Sequence, residues 1–126
     1  MPPDGKMGFI FVDVTLRGPG GTATRRMMVD AGATFTWVPE PLARQLGAQP
    51  KRTVRVHLGD NRVVERLLGE LEVEILGRGG TRFIVFGQEG DASVVGVDTL
   101  EGLMLQVDPV EHVVRTQTHS LLLAAA

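Results

Sequence analysis

A single aspartate, Asp30, stands between an apolar run and two small residues in the segment MMVDAGATFTWVP, residues 27–39. Carboxylates can serve as general acids and bases. An aspartate at a strand end, followed by glycine and small residues, can be surrounded by backbone N–H groups, which favour the ionised carboxylate. An aspartate also commonly ends a strand or caps a turn. The segment alone therefore leaves a catalytic and a structural interpretation of Asp30.

The composition excludes several kinds of site. The 126 residues suit one domain, and 43% hydrophobic and 22% charged residues with a net charge of -2 are typical of an ordinary soluble protein. We therefore expect no nucleic-acid partner. Cysteine is absent, which excludes disulfides and thiolate chemistry. His57, His112 and His119 lack metal-ligand spacing, so we predict neither a metal nor a cofactor.

No apolar run is long enough to cross a membrane, and the first residues, MPPDGKMGFIFVDV, lack the pattern of a signal peptide. We therefore expect a cytoplasmic protein with no membrane partner. The apolar tail SLLLAAA, residues 120–126, is either a disordered end or a strand that pairs with another chain.

Short β-branched runs separated by Gly, Pro, Asp and Asn predict a strand-rich domain. Residues 8–17 and 22–30 are expected to form a hairpin that turns at residues 18–21 and delivers Asp30 to a strand end. A strand at 35–39 and one convincing helix at 39–47 follow. A second hairpin turns at residues 59–61, and its strand continues with Glu70, Glu72 and Glu74 on one face and Leu71, Val73 and Ile75 on the other. A turn at 77–80, a strand at 81–86 and a last hairpin at Asp108-Pro109 complete the prediction.

Two motifs and their order resemble one enzyme family. Asp30-Ala31-Gly32-Ala33, entered from apolar residues, resembles the Asp-Thr/Ser-Gly-Ala loop of retropepsin-like aspartic peptidases. SVVGVDTLEGLMLQVDP, residues 93–109, resembles that family's later signature, including its short helix. The hairpin at residues 59–61 falls where the family has its flap. The resemblance covers about residues 8–114, the core of a single domain that we assign to residues 1–126.

The resemblance implies that the catalytic site needs two chains. These peptidases hold two carboxyls about 3 Å apart around one proton and one water. This sequence has one Asp-x-Gly-Ala motif, so the second carboxyl must come from Asp30 of another copy in a two-fold dimer. One carboxyl would be protonated and the other would act as general base on the water. Gly32 would let the substrate approach the backbone, and Ala33 would keep the space beside the carboxylates small.

One residue departs from the family pattern. Ala31 replaces the Thr or Ser whose hydroxyl, in the family, braces the two loops across the dimer axis. A lost bond at a buried site costs roughly 1–3 kcal/mol if its partner stays unsatisfied. Three interpretations remain open: a tolerated natural variant, an engineered or degenerate inactive one, or a protein in which Thr34 or a water supplies the bond.

The resemblance also assigns the remaining site residues. The active-site loop comprises Ala31, Gly32, Ala33 and Thr34, and the substrate-binding flap comprises Leu58, Gly59, Asp60, Asn61, Arg62 and Val63. The flap would give main-chain hydrogen bonds to an extended peptide. We expect Trp37 to pack in the core, and Asp98 to cap the helix DTLEG or to hydrogen-bond neighbouring loops rather than to perform chemistry.

The sequence thus predicts an all-β, retropepsin-like fold: a closed small barrel of short strands with one short helix and a flap hairpin. It predicts a homodimeric aspartic endopeptidase with its site at the two-fold axis, acting on peptide or protein substrates. The main alternative is a catalytically weakened or inactive dimer that serves as a peptide-binding or assembly module. A weaker alternative treats the motif as coincidence in a generic small β-barrel.

Overall fold

A computed structural model describes residues 9–118 and 121–125 of the chain, which form nine strands and two short helices. In chain order they are β1 (Ile10–Gly18), β2 (Gly21–Val29), β3 (Thr36–Pro39), α1 (Glu40–Gln45), β4 (Arg52–His57), β5 (Val63–Ile75), β6 (Arg78–Gly87), β7 (Val94–Val95), α2 (Val97–Gly102), β8 (Leu105–Asp108) and β9 (Val113–Thr116).

The first seven strands form one sheet in the order β3-β6-β5-β1-β2-β7, with β4 added along the long strand β5. The terminal strands of this order, β3 and β7, contact each other, so the sheet curls into a nearly closed barrel. Strands β8 and β9 form a separate two-stranded sheet. The prediction of an all-β, barrel-like fold is confirmed.

The predicted hairpins are present, with one turn in a different place. β1 pairs with β2, β4 with β5 and β8 with β9, all antiparallel, as expected. Between β5 and β6 the turn is not residues 77–80 but the two residues Leu76 and Gly77, with φ of 54° and 80°. A two-residue hairpin turn with positive φ at both positions matches the twist of the flanking strands. The next two glycines therefore belong to β6.

The alternation predicted for β5 is confirmed by its burial. Leu71, Val73 and Ile75 are buried, whereas the glutamates between them are exposed or half-buried. Strand β5 pairs with β4, β1 and β6, so its apolar face forms the centre of the barrel. The burial of this face is the main hydrophobic contribution of the strand to the stability of the fold.

The fold prediction contained one helix, which corresponds to α1, whereas the structure has two. A Pro lies in the first turn of α1, and the i,i+4 ion pair between Glu40 and Arg44 (2.7 Å) supports the helix on its exposed side. The second helix, α2, occurs where the family resemblance implies one, after Gly96. A six-residue helix gives too little periodicity to be predicted from apolar spacing alone.

Buried apolar residues form two clusters. The larger one fills the barrel. The smaller one contains Trp37, Leu68, Val85 and Val94, and half-buried residues from β4 and from the segment before β3 pack against it. Trp37 is 8% exposed, so the prediction that it packs in the core is confirmed.

The structure describes only part of each chain end. Residues 1–8, 119, 120 and 126 are outside the described residues, and with them parts of the predicted first strand and of the apolar tail. Residues 121–125 are exposed and form no strand within the chain. In the described part of the chain, no helix has the length and apolar character that crossing a membrane requires.

An ion pair fixes the loop between β6 and β7 to β5. Asp91 accepts two hydrogen bonds from the guanidinium of Arg66, at 2.8 and 3.1 Å, and one from the backbone N–H of Gln88 at 2.7 Å. The Arg66 bonds lower the pKa of Asp91 against the opposing effect of burial. The two side chains are only 16% and 10% exposed, so the pair is shielded from solvent.

We predict that Asp91→Asn lowers the free energy of unfolding at about pH 7 by about 1–3 kcal/mol, because it leaves Arg66 without its counter-ion. The lowered pKa means that this stabilisation is complete above the ordinary carboxyl pKa and disappears as Asp91 binds a proton. Denaturant unfolding should therefore show the variant and the wild type converging below about pH 4. Glu72→Gln, which breaks an exposed pair with Arg17, is the control and should cost less. A difference that does not change with pH would contradict this assignment.

Candidate functional site

Asp30 lies at the point where the chain leaves the barrel. Strand β7 runs parallel to the end of β2, with Met28 beside Val94 and Val29 beside Val95. Directly after β2, the backbone N–H of Asp30 donates to the carbonyl of Val95 at 2.9 Å. This hydrogen bond continues the pairing of β2 with β7 and holds the backbone of Asp30 in place.

The residues that follow form a tight turn around the Asp30 carboxylate. The N–H of Gly32 donates to Oδ1 of Asp30 at 2.9 Å, and the N–H of Ala33 donates to its carbonyl at 3.0 Å. Ala31, Gly32 and Thr34 are exposed. The turn, residues 30–35, is called the Asp30 loop below, and it presents its carboxylate at the protein surface.

Residues 95–99, called the 95–99 segment, hold the far side of the same loop. The N–H of Val97 donates to the carbonyl of Ala33, and the N–H of Asp98 donates to the carbonyl of Thr34, each at 2.8 Å. These two donors belong to the first turn of α2, where backbone N–H groups have no partner within the helix. The loop carbonyls thus accept hydrogen bonds from N–H groups that have no partner within the helix, and the same bonds hold the loop against α2.

A buried pair of hydroxyls completes this connection. The Oγ1 atoms of Thr36 and Thr99 lie 2.6 Å apart, and Oγ1 of Thr36 also accepts the N–H of Gly96 at 3.1 Å. Both threonines are 0% exposed. Buried hydroxyls are costly unless they are hydrogen-bonded, and both hydroxyls here have a partner. We call Thr36 and Thr99 the threonine pair.

The sequence contains only weak indications of the threonine pair. Thr34, the residue suggested as a source of the bond missing at Ala31, is exposed, whereas the hydroxyl that reaches a backbone donor is that of Thr36. Thr36 is a polar residue next to Trp37 in a short strand, and Thr99 is a β-branched polar residue in a six-residue helix. Neither identifies its partner, because the two threonines are 63 residues apart.

Asp98 has one of the two structural roles expected of it. It lies inside the first turn of α2, and the N-cap residue is Gly96 without a side-chain cap, so the prediction that Asp98 caps the helix is wrong. Its backbone N–H bonds the Asp30 loop, and its two carboxylate oxygens accept hydrogen bonds from Nη2 of Arg82, each at 2.9 Å. This ion pair ties α2 to β6.

Four other aspartates each have an arginine partner. They are Asp60 with Arg62, Asp91 with Arg66, Asp98 with Arg82 and Asp108 with Arg115. Backbone N–H groups contribute most to the lowered pKa of Asp60 and of Asp108, and their arginines act in the same direction. These four carboxylates thus each form an ion pair within the local structure. The Asp30 carboxylate accepts a backbone N–H of its own loop, and no ion pair joins it to another of the described residues.

Two surface clefts flank the Asp30 loop. One, of about 330 Å³, is lined by the loop from Ala31 to Phe35 and by α2 residues Val97, Asp98 and Glu101. The other, of about 560 Å³, includes Asp30 itself together with β1, β2 and the turn between β8 and β9. Both volumes lie in the range of small-ligand sites. The carboxylate is therefore reachable from solvent.

The β4–β5 hairpin predicted as the flap has a well-defined tip. The N–H of Leu58 donates to the carbonyl of Arg62, and the N–H of Asn61 donates to the carbonyl of Leu58, with Asn61 at φ 70°. Gly59, Asp60, Asn61, Arg62 and Val63 are exposed, whereas Leu58 is half-buried. Leu58 packs against the same small cluster as Ala33 and Phe35 of the Asp30 loop. The hairpin and the loop thus share one apolar support.

The described residues contain no group of three or more His, Cys, Asp or Glu arranged to hold a metal. His57 and His112 are exposed and lie in separate parts of the fold, and His119 is outside the described residues.

Comparison with known families matches most of the chain to a protein family. The family described as aspartyl protease matches residues 12–99, which run from β1 into α2 and include the Asp30 loop, the β4–β5 hairpin and Gly96. Comparison with individual curated proteins gives no significant match.

The close approach of the Asp30 loop and the 95–99 segment can be tested at Gly96. A Cβ atom at Gly96 would overlap the carbonyl oxygen of Phe35 and come within 2.8 Å of the carbonyl oxygen of Ala33. We predict that Gly96→Ala pushes the Asp30 loop away from α2 and lowers the free energy of unfolding by about 1–3 kcal/mol.

Gly59→Ala is the matched control, because a Cβ there meets nothing within 4 Å. Denaturant unfolding of both variants measures the difference. Equal stability of the two variants would show that the loop does not depend on this contact.

Proposed function

The chain belongs to the aspartyl protease family, and from that premise we propose that it is an endopeptidase whose site combines the Asp30 carboxyls of two copies. Members of this family hydrolyse peptide bonds by aspartic-peptidase chemistry. The residue proposed to carry the reaction is Asp30, and the proposed assembly is a two-fold homodimer. The single observation that carries the proposal is the Asp30 loop, held in the matched region with its carboxylate at the surface.

The number of available carboxyls supports the homodimer. Aspartic-peptidase chemistry uses two carboxyls about 3 Å apart. The chain has one Asp-x-Gly-Ala motif, and Asp60, Asp91, Asp98 and Asp108 are engaged by arginines. Asp13 lies in the middle of β1 on its exposed side, opposite Arg26 of β2. A second copy, related by a two-fold axis through the Asp30 loop, would supply an equivalent carboxyl.

The proposed mechanism follows from placing two equal charges so close together. The two carboxyls share one proton, because both cannot be ionised at this distance. The ionised carboxyl takes a proton from a water that attacks the scissile carbonyl carbon, while the protonated one donates a hydrogen bond to the carbonyl oxygen. Collapse of the tetrahedral intermediate breaks the C–N bond, and the leaving amine receives a proton from the dyad.

The surroundings of the loop suit an extended peptide. The exposed tip of the β4–β5 hairpin, residues 58–63, can offer main-chain hydrogen bonds as a flap. The small apolar cluster below it includes half-buried Phe35 and Phe83, whose rings pack edge to face with centroids 5.5 Å apart. We propose that apolar substrate side chains bind against these surfaces. Gly32 and Ala33 leave room beside the carboxylates, since neither carries a large side chain.

A second candidate function keeps the fold without the hydrolysis. Ala31 has no hydroxyl to reach a partner loop, so the chain could form a dimer that binds peptides or assembles without cleaving them. The observation in favour of this module is the sequence at position 31. The two functions differ in whether a dimer of the wild-type chain cleaves peptides.

We predict that the wild-type protein cleaves members of a diverse peptide library between about pH 3 and pH 7, and that Asp30→Asn lowers kcat/KM by about 10²–10⁴-fold or more. Asp13→Asn is the matched control and should leave activity unchanged. Mass spectrometry of the products and sedimentation of the same samples give cleavage and oligomeric state together. A dimer without cleavage in the wild type would favour the binding module.

Mixing the wild type with Asp30→Asn tests whether each site needs two chains. Suppose that one active carboxyl per dimer is insufficient and that protomers exchange freely. An equal mixture should then have about a quarter of the activity of pure wild type at the same total protein concentration. A site complete in one chain should keep about half. Measurements over a range of mixing ratios separate a quadratic from a linear dependence, and a linear result would rule out the shared site.

A further inference from the structure

The Asp30 loop of one protomer is fastened to that same protomer at both of its ends, and this bears on the hydroxyl missing at Ala31. Building on the proposed function, we propose that the threonine pair braces the loop from within each protomer, so that Thr36 and Thr99 are positioning residues and replace the bracing across the dimer axis. The brace would give the Asp30 carboxyl its catalytic orientation before two copies meet.

Hydrogen bonds attach both ends and the middle of the loop to one segment of the chain. The loop begins at Asp30, whose N–H bonds Val95, and it is followed by Thr36, whose hydroxyl accepts the N–H of Gly96. Both anchor points are consecutive residues of the 95–99 segment. Between them, α2 holds two further carbonyls of the loop. Movement of this segment would therefore displace the start, the middle and the end of the loop together.

The threonine pair is buried between α2 and β3. Thr99 lies in α2, Thr36 begins β3, and their hydroxyl oxygens are 2.6 Å apart in a fully buried position. The bond is the side-chain link between the helix that holds the loop and the strand that the loop enters. In such a dry environment an unmade hydrogen bond is costly, so the pair resists separation.

Without a hydroxyl that reaches across the dimer axis, the geometry of the loop must be held in another way. Catalysis requires the reacting groups to be held in a narrow range of geometry, and a misplacement of about 1 Å can cost about 10²-fold in rate. Ala31 contributes no hydroxyl to this task. The threonine pair fixes the same loop without using the partner, so dimer formation only has to bring two preformed loops together.

The kinetic test compares Thr99→Val, which has a similar shape but no hydroxyl, with Thr99→Ser, which keeps the hydroxyl. We expect Thr99→Val to lower kcat by about 10–100-fold while KM and the dimer dissociation constant change by less than about twofold. Thr99→Ser should recover most of kcat. Adding Ala31→Thr to Thr99→Val should restore activity in part, because a hydroxyl across the dimer axis then supplies a second brace.

A second readout does not depend on activity. The N–H of Gly96 bonds Thr36, so its rate of hydrogen exchange, measured by NMR, reports on the brace directly. We expect faster exchange at Gly96 and Val97 in Thr99→Val than in Thr99→Ser, with little change in the centre of β5. Exchange at β5 also shows whether either variant has lost its fold.

The outcomes separate this inference from the proposed function. If the wild type cleaves peptides while Thr99→Val keeps both its kcat and its protection at Gly96, the brace is overturned and the shared catalytic site stands. If no variant cleaves but Gly96 loses protection in Thr99→Val, the proposed endopeptidase fails while the brace within the protomer is supported. Loss of kcat together with loss of protection, both recovered in Thr99→Ser, supports the two proposals at once.

Discussion

The hydrogen bonds between the Asp30 loop and the 95–99 segment are the constraint on which the site depends. Two distant parts of the chain meet there: the residues after β2 and the residues around β7 and α2. Ladder bonding, helix N–H groups and the threonine pair all act on the same short loop. A surface loop usually gains mobility because its backbone is solvated. This loop is exposed on one side and hydrogen-bonded to the 95–99 segment on the other.

The barrel provides the framework for this meeting of segments. The strand before the loop, β2, lies beside the parallel strand β7 at one end of the sheet order. The strand after the loop, β3, lies at the other end beside the parallel strand β6. The sheet must curl for these ends to meet, and the buried face of β5 supplies the apolar surface that drives the curling. The curling that encloses the core therefore also brings the 95–99 segment beside the Asp30 loop.

Charge distribution separates the proposed catalytic carboxyl from the others. Arginines form ion pairs with Asp60, Asp91, Asp98 and Asp108, which gives those carboxylates structural roles. Asp30 is bonded by its own backbone and opens onto a cleft. This arrangement in a family of aspartyl proteases is the physical basis for proposing a second copy as the missing half of the site.

The sequence by itself determined the strand-rich fold, the positions of the hairpins, the alternation of β5 and the assignment to a family, because alternation, turn residues and the Asp-x-Gly motif are local patterns. It did not determine the turn at Leu76-Gly77, because the twist of two paired strands selects the turn type. It also did not identify the partners Thr36 and Thr99, or Asp98 and Arg82. Those contacts join residues from different elements, and only the packing of α2 against β3 and β6 decides which polar groups meet.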